Sequence, residues 1–322
     1  MEKQRLSGCD LEVSRLCFGT MTFGKQVDQP LAERMIGECV DAGINFFDTA
    51  NIYQHGQSEI ILGDALRGKR GQVILASKVR GKMGEGPDES GLSRQAILRA
   101  IDESLRRLKT DYLDIYYLHQ PDYATPIEET LETVEELVRQ GKVRCPGSSN
   151  YSSWQVCRQL WLAEAKAYKP ARITQPMYNL LARGIEQEYL PMARELGVST
   201  VVYNPLAGGL LTGKQSAGAP IPGTRFDGNT MYLNRYWHPA YFEAVEELKR
   251  AAQQDGRTLV SVALNWLLHH TGSQCVILGA SSLEQLHENI RLSREGRLTE
   301  AMLKQCDEIW SKLRGITPQY NR

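Results

Sequence analysis

The sequence has no surplus of charge of either sign, because 38 Lys and Arg residues balance 38 Asp and Glu residues. Without a basic surplus there is little to hold a phosphate backbone, which disfavours nucleic-acid binding. The sequence also lacks the run of about 18 apolar residues that a membrane-spanning helix requires. Its first residues, Met1–Arg5, are not followed by the apolar stretch of a secretion signal. These absences predict a cytoplasmic protein that does not enter a membrane.

Paired cysteine motifs are absent as well. The seven cysteines are odd in number and widely spaced, and no Cys-x-x-Cys occurs. This pattern favours free thiols in a reducing compartment, and it predicts neither a disulfide framework nor a metal site. Most of the cysteines are expected to be small buried apolar residues.

Short apolar runs rich in β-branched and aromatic residues alternate with longer segments of helical periodicity. In one such segment Ile97, Ile101 and Leu105 fall on the same helical face. The runs that predict strands are Arg15–Phe18, Ile44–Asp48, Val73–Lys78, Tyr112–His119, Val143–Ser148, Ile173–Pro176, Thr200–Tyr203 and Cys275–Leu278. The predicted helices are Leu31–Ala42, Ser58–Arg67, Ser93–Leu108, Thr125–Gln140, Ser153–Tyr168, Glu186–Leu196, Tyr241–Gln254 and Val260–His270.

One helix carries explicit start signals, with Thr125 as the N-cap, Pro126 at its first position and Glu128 three residues after the cap. Gly141 follows as a stop signal.

Eight alternating strand and helix units in one chain predict a (β/α)₈ barrel, as a single domain over residues 1–322 with a C-terminal helix and tail. The rival is a doubly wound sheet, but its Gly-x-Gly-x-x-Gly fingerprint after the first strand is missing. A long stretch rich in Gly, Pro, Asn and Arg, about 215–239, is interpreted as an irregular flap over the site, because such long loops are usually functional.

Ionisable side chains stand at the ends of several predicted strands. Asp48 ends the second strand and is followed by Tyr53, Lys78 ends the third strand, and His119 ends the fourth. Because active sites of such barrels lie at the carboxyl ends of the strands, we expect these four side chains to lie close together.

These four residues suit the reduction of a carbonyl group, which needs a hydride on carbon and a proton on oxygen. A nearby ammonium favours the ionised form of a phenol and makes it a better acid. The hypothesis is that Tyr53 is the acid, Lys78 activates it, Asp48 holds Lys78, and His119 orients the substrate carbonyl.

The sequence resembles the aldo-keto reductase family over almost its whole length. The resemblance rests on Asn45–Ala50, on Tyr53 five residues after Asp48, on Lys78 and on Asp114–His119. It implies that Asp48, Tyr53, Lys78 and His119 are the catalytic tetrad and that NADPH is the cofactor.

The later segments resemble the aflatoxin-aldehyde and succinic-semialdehyde reductase branch of that family, through Asn204–Lys214, Ile277–Leu286 and Tyr320–Arg322. By this resemblance, Ser149, Asn150 and Gln175 bind the nicotinamide amide, Tyr203 stacks on its ring, and Asn204–Lys214 surrounds the pyrophosphate. The implied cofactor-binding residues are Gly19, Thr20, Met21, Asp48, Ser149, Asn150, Gln175, Tyr203, Asn204, Leu206, Gly208, Lys214, Arg225, Gly279, Ser281, Gln285 and Asn289.

The implied substrate contacts are Tyr53, His119, Tyr232, Arg235 and Arg322. A guanidinium pairs with a carboxylate through two parallel hydrogen bonds, so Arg235 and Arg322 predict a preference for aldehydes that carry an acid group.

One segment departs from the family pattern at Cys145-Pro146, before Gly147-Ser148-Ser149-Asn150. Because proline cannot donate a ladder hydrogen bond, it is expected to alter the path of the fifth strand into Ser149.

Alternatives to an aldehyde or ketone reductase remain open. The chain also resembles the cofactor-bound potassium-channel β subunits of the family, through Leu278–Ser281, and a sugar-nucleotide ketoreductase is a third possibility. The partners expected are a small carbonyl substrate and, in a homodimer, a second copy of the chain.

Overall fold

A computed structural model describes residues 1–316 and contains a closed barrel of eight parallel strands in the order β10-β3-β4-β5-β6-β7-β8-β9. The (β/α)₈ barrel predicted from the sequence is therefore confirmed. The strands are β1 (Lys3–Leu6), β2 (Leu11–Ser14), β3 (Leu16–Gly19), β4 (Phe46–Asp48), β5 (Ile74–Val79), β6 (Leu113–Leu118), β7 (Val143–Ser149), β8 (Ile173–Gln175), β9 (Ser199–Val202) and β10 (Cys275–Leu278).

By compactness the chain divides into two units. The first contains residues 1–176, 188–201 and 274–286, and the second contains 177–187, 202–273 and, among the described residues, 287–316. The helices of the first unit are α1 (Gln29–Asp41), α2 (Gln57–Ala65), α3 (Arg94–Leu108), α4 (Ile127–Arg139), α5 (Ser153–Ala165) and α6 (Tyr189–Glu195). The later helices are α7 (Thr230–Tyr236), α8 (Pro239–Gln254), α9 (Leu259–His270), α10 (Leu283–Leu292) and α11 (Glu300–Arg314).

The parallel register brings the strand ends of the barrel level with one another. Gly19 pairs with Asp48, Asp48 pairs with Ala76, and Lys78 pairs with Tyr117. Nearly all residues of the barrel strands are buried, whichever face they lie on, which explains why these strands form apolar runs in the sequence. The polar residues that end these strands are consequently held at one rim of the barrel.

The sequence analysis missed the antiparallel hairpin of β1 and β2. It lies at the amino ends of β8 and β9, because the amide of Ser7 donates to the Ser199 hydroxyl at 2.8 Å and Gly8 packs against Arg172.

The predicted start of α4 was wrong. Pro126, not Thr125, is the N-cap residue, and no side chain caps the helix. The Thr125 hydroxyl instead donates to Asp122 at 2.9 Å, so its hydrogen-bonding capacity is used in the preceding turn.

The expectation that Pro146 diverts the fifth barrel strand was also wrong. β7 continues through Pro146 to Ser149 in an unbroken register with β6. The ladder with β8 begins only at Gly147, so Pro146 lies in a part of β7 that has β6 as its paired neighbour. Proline is tolerated where a strand is edge-like.

In the second unit, the stretch 215–239 is not wholly irregular, because it contains α7, whose N-cap is Asn229. Elsewhere in this unit the Arg183 guanidinium lies over the rings of Trp266 and Trp310 and pairs with Asp307 at 2.8 Å. These contacts tie residues 177–187 to α9 and α11.

In the described part of the chain, residues 1–316, no helix has both the length and the apolar character that crossing a membrane demands.

Candidate active site

The catalytic residues proposed from the sequence lie together at the barrel rim, with Lys78 at their centre. Its side chain is completely buried, and its ammonium forms an ion pair with Asp48. The same ammonium donates to the Thr49 carbonyl at 2.8 Å and to the Tyr53 hydroxyl at 3.3 Å. The buried charge therefore has protein partners in place of water.

Tyr53 reaches Lys78 from a 3₁₀ turn, Tyr53–Gly56, that follows β4. Gln54 and His55 of this turn have φ values of 48° and 50°, in the left-handed region. These two residues turn the chain directly after Tyr53, whose phenol lies beside the Lys78 ammonium at the end of the barrel. The ring of Tyr53 meets the His119 ring edge to face, with the ring centroids 6.0 Å apart.

The electrostatics of Lys78 favour the ammonium. Burial alone lowers the pKa of Lys78, but the negative charge of Asp48 and the hydrogen bonds to Asp48 and Tyr53 outweigh it. The pKa of Lys78 is therefore raised above its ordinary value, and the group remains positively charged at neutral pH.

The same surroundings keep His119 neutral. Burial, followed by the positive charges of Lys78 and Arg80, lowers the pKa of His119 to about 3. The backbone amide of His119 donates to the Val79 carbonyl at 2.9 Å, which fixes the residue at the end of β6. A neutral imidazole can donate one hydrogen bond to a substrate oxygen without adding a full charge.

Three residues expected to bind nicotinamide are linked to this cluster. Gln175 donates from Nε2 to the second carboxylate oxygen of Asp48 at 2.9 Å, and the Ser149 hydroxyl donates to the Gln175 carbonyl at 2.8 Å. Asn150, whose φ is 61°, donates to the carbonyl of His119 at 2.8 Å. The bond from Gln175 to Asp48 was not anticipated from the sequence.

The remaining cofactor candidates of the first unit follow β3 and β10. The Thr20 amide donates to the Asp48 carbonyl at 2.9 Å, and Gly19 and Met21 flank this residue. After β10, the amide and the hydroxyl of Ser281 both donate to the Gln285 side-chain oxygen at 3.0 Å, while Gly279 lies two residues before Ser281.

In the second unit, the segment Asn204–Lys214 has a backbone suited to an anion. Five of its residues have positive φ, and a Cβ built on Gly209 would meet no atom within 4 Å. The Asn204 side-chain oxygen accepts from the Gly208 amide at 2.6 Å. The amides of Ala207, Gly209 and Gly213 also donate within the segment, so what the segment offers a phosphate group is the free space beside Gly209, where a ligand can approach the backbone closely. The five positive-φ residues are Asn204, Ala207, Gly208, Gly209 and Gly213.

Tyr232, a candidate substrate contact, is buried within the second unit. Its ring faces both Arg225 and Arg235, and its hydroxyl accepts from Arg225 at 3.2 Å. Leu206 precedes the 3₁₀ turn at Ala207–Thr212, and Asn289 lies on α10. Arg322 lies outside the described residues, so the carboxylate pocket expected from Arg235 and Arg322 stays a prediction.

Sequence reasoning missed a buried network beside the tetrad. Glu59 on α2 accepts from the Ser77 hydroxyl at 2.5 Å and from Arg107 at 2.7 Å. Ser77 directly precedes Lys78 in β5, so the network supports the strand that carries the Lys78 ammonium. A glutamate six residues after Tyr53, directly before the apolar run Ile60–Leu62, was the signal available.

The profile of the Aldo/keto reductase family matches residues 15–311. This chain belongs to the aldo/keto reductase family. The family predicted from the motifs is thereby confirmed, and membership makes this aldo/keto reductase an oxidoreductase.

Several relatives cover nearly its whole length. The aldo/keto reductase is 35% identical to aflatoxin B1 aldehyde reductase member 2 of Homo sapiens, with 94% of this chain and 88% of that protein aligned. It is 38% identical to the uncharacterized oxidoreductase YrpG of Bacillus subtilis, with 99% of each chain aligned. It is also 35% identical to a probable voltage-gated potassium channel subunit beta of Arabidopsis thaliana, over 90% of each chain.

Proposed function

We propose that the protein is an NADPH-dependent reductase that converts an aldehyde or ketone into the alcohol, with Tyr53 as the general acid. The observation that carries this proposal is the 3.3 Å contact between the Lys78 ammonium and the Tyr53 hydroxyl, held in place by the Asp48 carboxylate.

The protein's own part of the reaction concerns the proton and the charge on oxygen. Tyr53 gives its hydroxyl proton to the carbonyl oxygen, and the electron pair of the broken O–H bond stays on the phenolate. Lys78 stabilises that phenolate, and neutral His119 donates a hydrogen bond to the carbonyl oxygen. A bound NADPH supplies the hydride that adds to the carbonyl carbon.

The residues present suit a nicotinamide cofactor. Ser149, Asn150 and Gln175 carry hydroxyl and amide groups for the nicotinamide amide, and the free space beside Gly209 in Asn204–Lys214 lets a pyrophosphate approach the backbone. The relatives named as aflatoxin B1 aldehyde reductases support the reduction of an aldehyde.

A second candidate function is that of a cofactor-bound regulatory subunit, which the relatives named as potassium channel β subunits favour. The two candidates differ in turnover, because steady oxidation of NADPH in the presence of 4-nitrobenzaldehyde requires a working catalyst. Binding of NADPH without turnover on any carbonyl compound would favour the regulatory function.

The decisive variant is Tyr53→Phe, which removes the acid proton and leaves the aromatic ring. We expect the rate constant kcat to fall by about 10²- to 10⁴-fold, the usual contribution of a general acid. NADPH affinity, measured by fluorescence titration, should be unchanged. Tyr123→Phe is the control, because Tyr123 is 85% exposed. Near-normal turnover by Tyr53→Phe would reject the assignment.

A further inference from the structure

Arg80 has a backbone conformation that its residue type rarely adopts. It directly follows β5, two residues after Lys78, and its φ is +125°. Side chains other than glycine are strained at such values, and strained residues cluster at ligand-binding and catalytic positions.

Neighbouring contacts hold this conformation in place. The Val79 carbonyl accepts from the His119 amide at 2.9 Å, and the Arg80 carbonyl accepts from the Gly91 amide at 3.1 Å. The next residue, Gly81, packs so closely that an added Cβ would fall 2.5 Å from Ile52. The strand end and the loop that follows it therefore fix where Arg80 stands.

The charge of Arg80 has no counter-ion among residues 1–316. Arg80 takes part in none of their ion pairs, and its Nε is buried without a hydrogen-bond partner. Burying the Nε donor in this way is costly, because that atom has given up water without gaining a hydrogen bond. This is the pattern expected of a group that awaits a ligand.

Two of the nearby acidic groups are engaged elsewhere. Arg80 lines a cavity of about 220 Å³ with Asn51, Asp88, Glu89 and Glu103, among others. Glu89 and Glu103 pair with arginines of α3, and Asp88 forms no ion pair with Arg80. The Asn51 side-chain oxygen is likewise buried with no partner among the described residues.

Asp122 is an acidic neighbour of Arg80, but its carboxylate forms no ion pair with Arg80 and already accepts from three donors. The amides of Leu92 and Ala124 and the Thr125 hydroxyl all donate to its carboxylate, at 2.8, 3.1 and 2.9 Å. Arg80 is also near the reacting groups, because its positive charge helps to lower the pKa of His119 after the larger effects of burial and Lys78.

We propose that Arg80 is a specificity-determining residue that binds an anionic group, a carboxylate or a phosphate, on the carbonyl substrate. The planar fork of a guanidinium matches both groups through paired hydrogen bonds. The inference rests on the proposed reductase function, and it is independent of the pocket expected from Arg235 and Arg322.

The test compares substrates that differ in charge but little in shape. The pairs are 4-carboxybenzaldehyde with methyl 4-formylbenzoate, 3-carboxybenzaldehyde with its methyl ester, and glyceraldehyde 3-phosphate with glyceraldehyde. For the wild type, kcat/KM should favour at least one charged member over its uncharged partner. The phosphate pair and the carboxylate pairs distinguish the two kinds of anion.

Arg80→Met should lower kcat/KM for the preferred charged substrate by about 10- to 100-fold, the effect of losing a hydrogen bond to a charged group. The uncharged partner should react as before, and Arg80→Lys should recover part of the loss because it restores the charge without the fork. Lys82→Met is the control, since Lys82 lies in the same loop and pairs with Glu85 at its exposed end.

Three outcomes would overturn the inference. One is a wild-type enzyme whose kcat/KM favours no charged substrate over its uncharged partner. This result does not depend on whether any variant folds. Another is an Arg80→Met enzyme that loses activity equally on charged and uncharged substrates. The third, no NADPH oxidation by the wild type on any carbonyl, would overturn the proposed reductase function as well.

Discussion

Single residues at the barrel rim differ in how their charge is accommodated. Lys78 keeps its ammonium because Asp48 and Tyr53 replace the water that burial removed. His119 keeps its imidazole uncharged because of its burial and because its neighbours Lys78 and Arg80 are cations. The buried Lys78 ammonium thus pairs with the Asp48 carboxylate and disfavours a positive charge on His119.

This arrangement predicts an effect of His119 on stability as pH falls. The unfolded chain takes up a proton on His119 near pH 6.5, its ordinary pKa, whereas the folded protein does so only near pH 3. Because the unfolded state binds more protons in this window, stability must fall as the solution becomes more acidic. The loss attributable to His119 should be about 2 kcal/mol between pH 7 and pH 5.

Urea unfolding of the wild type and of His119→Gln, at pH 7 and pH 5, measures that loss. The variant lacks the titrating imidazole, so its free energy of unfolding should change less between the two pH values. Equal changes in both proteins would mean that His119 is protonated as easily in the folded state as in the unfolded one.

The sequence was sufficient to place Asp48, Tyr53, Lys78 and His119, because each follows or ends an apolar strand and such ends meet at one rim. It could not single out Arg80. An arginine after a strand is commonplace. The features that distinguish this one are its φ and its buried Nε without a hydrogen-bond partner, and both exist only in the folded chain.

Among the secondary-structure elements, α2, β5 and α3 are joined by the network of Glu59, Ser77 and Arg107. The Glu59 carboxylate is fully buried and Arg107 is nearly so. Removing one partner of a buried ion pair leaves the other charge without compensation, which is far more costly than losing an exposed pair.

Glu59→Gln should therefore lower the free energy of unfolding by about 3 kcal/mol. Glu103→Gln is a matched control, because Glu103 binds the same arginine at 3.3 Å from a partly exposed position. That change should cost less than about 1 kcal/mol. Chemical denaturation of the two variants beside the wild type gives both values, and similar losses would contradict a buried network.

The secondary-structure elements that sequence analysis missed are those with weak local signals. The strand β1, Lys3–Leu6, has a single fully buried residue, so no apolar run marked it. The helix α7 lies among glycines, prolines and asparagines that favoured a loop. For Pro146 the sequence predicted an irregularity where the strand is regular, because the sequence does not show which strands lie beside it.

For the whole molecule, ligand binding offers a measure that does not depend on turnover. A ligand that binds only the folded state at 100 times its Kd adds about 2.7 kcal/mol of stability. NADPH should therefore raise Tm by several degrees in a thermal unfolding experiment. NADH at the same concentration should raise Tm less, and an equal effect of both would argue against a preference for NADPH.

The barrel itself was predictable because eight strand and helix units alternate without a change in composition. The division into two compact units was not, since residues 177–187 and 202–273 of the second unit are separated along the chain by part of the first. Spatial grouping of that kind leaves no mark in composition or periodicity.

The pairing of β3 with β10 joins Leu16 to Val276 and closes the ring of strands. During synthesis on a ribosome, β3 emerges early, whereas its neighbour β10 emerges only after most of the chain has been made. Until then two strand edges lie open to other nascent chains. We therefore expect stalled or truncated products that end before β10 to aggregate and to depend on chaperones.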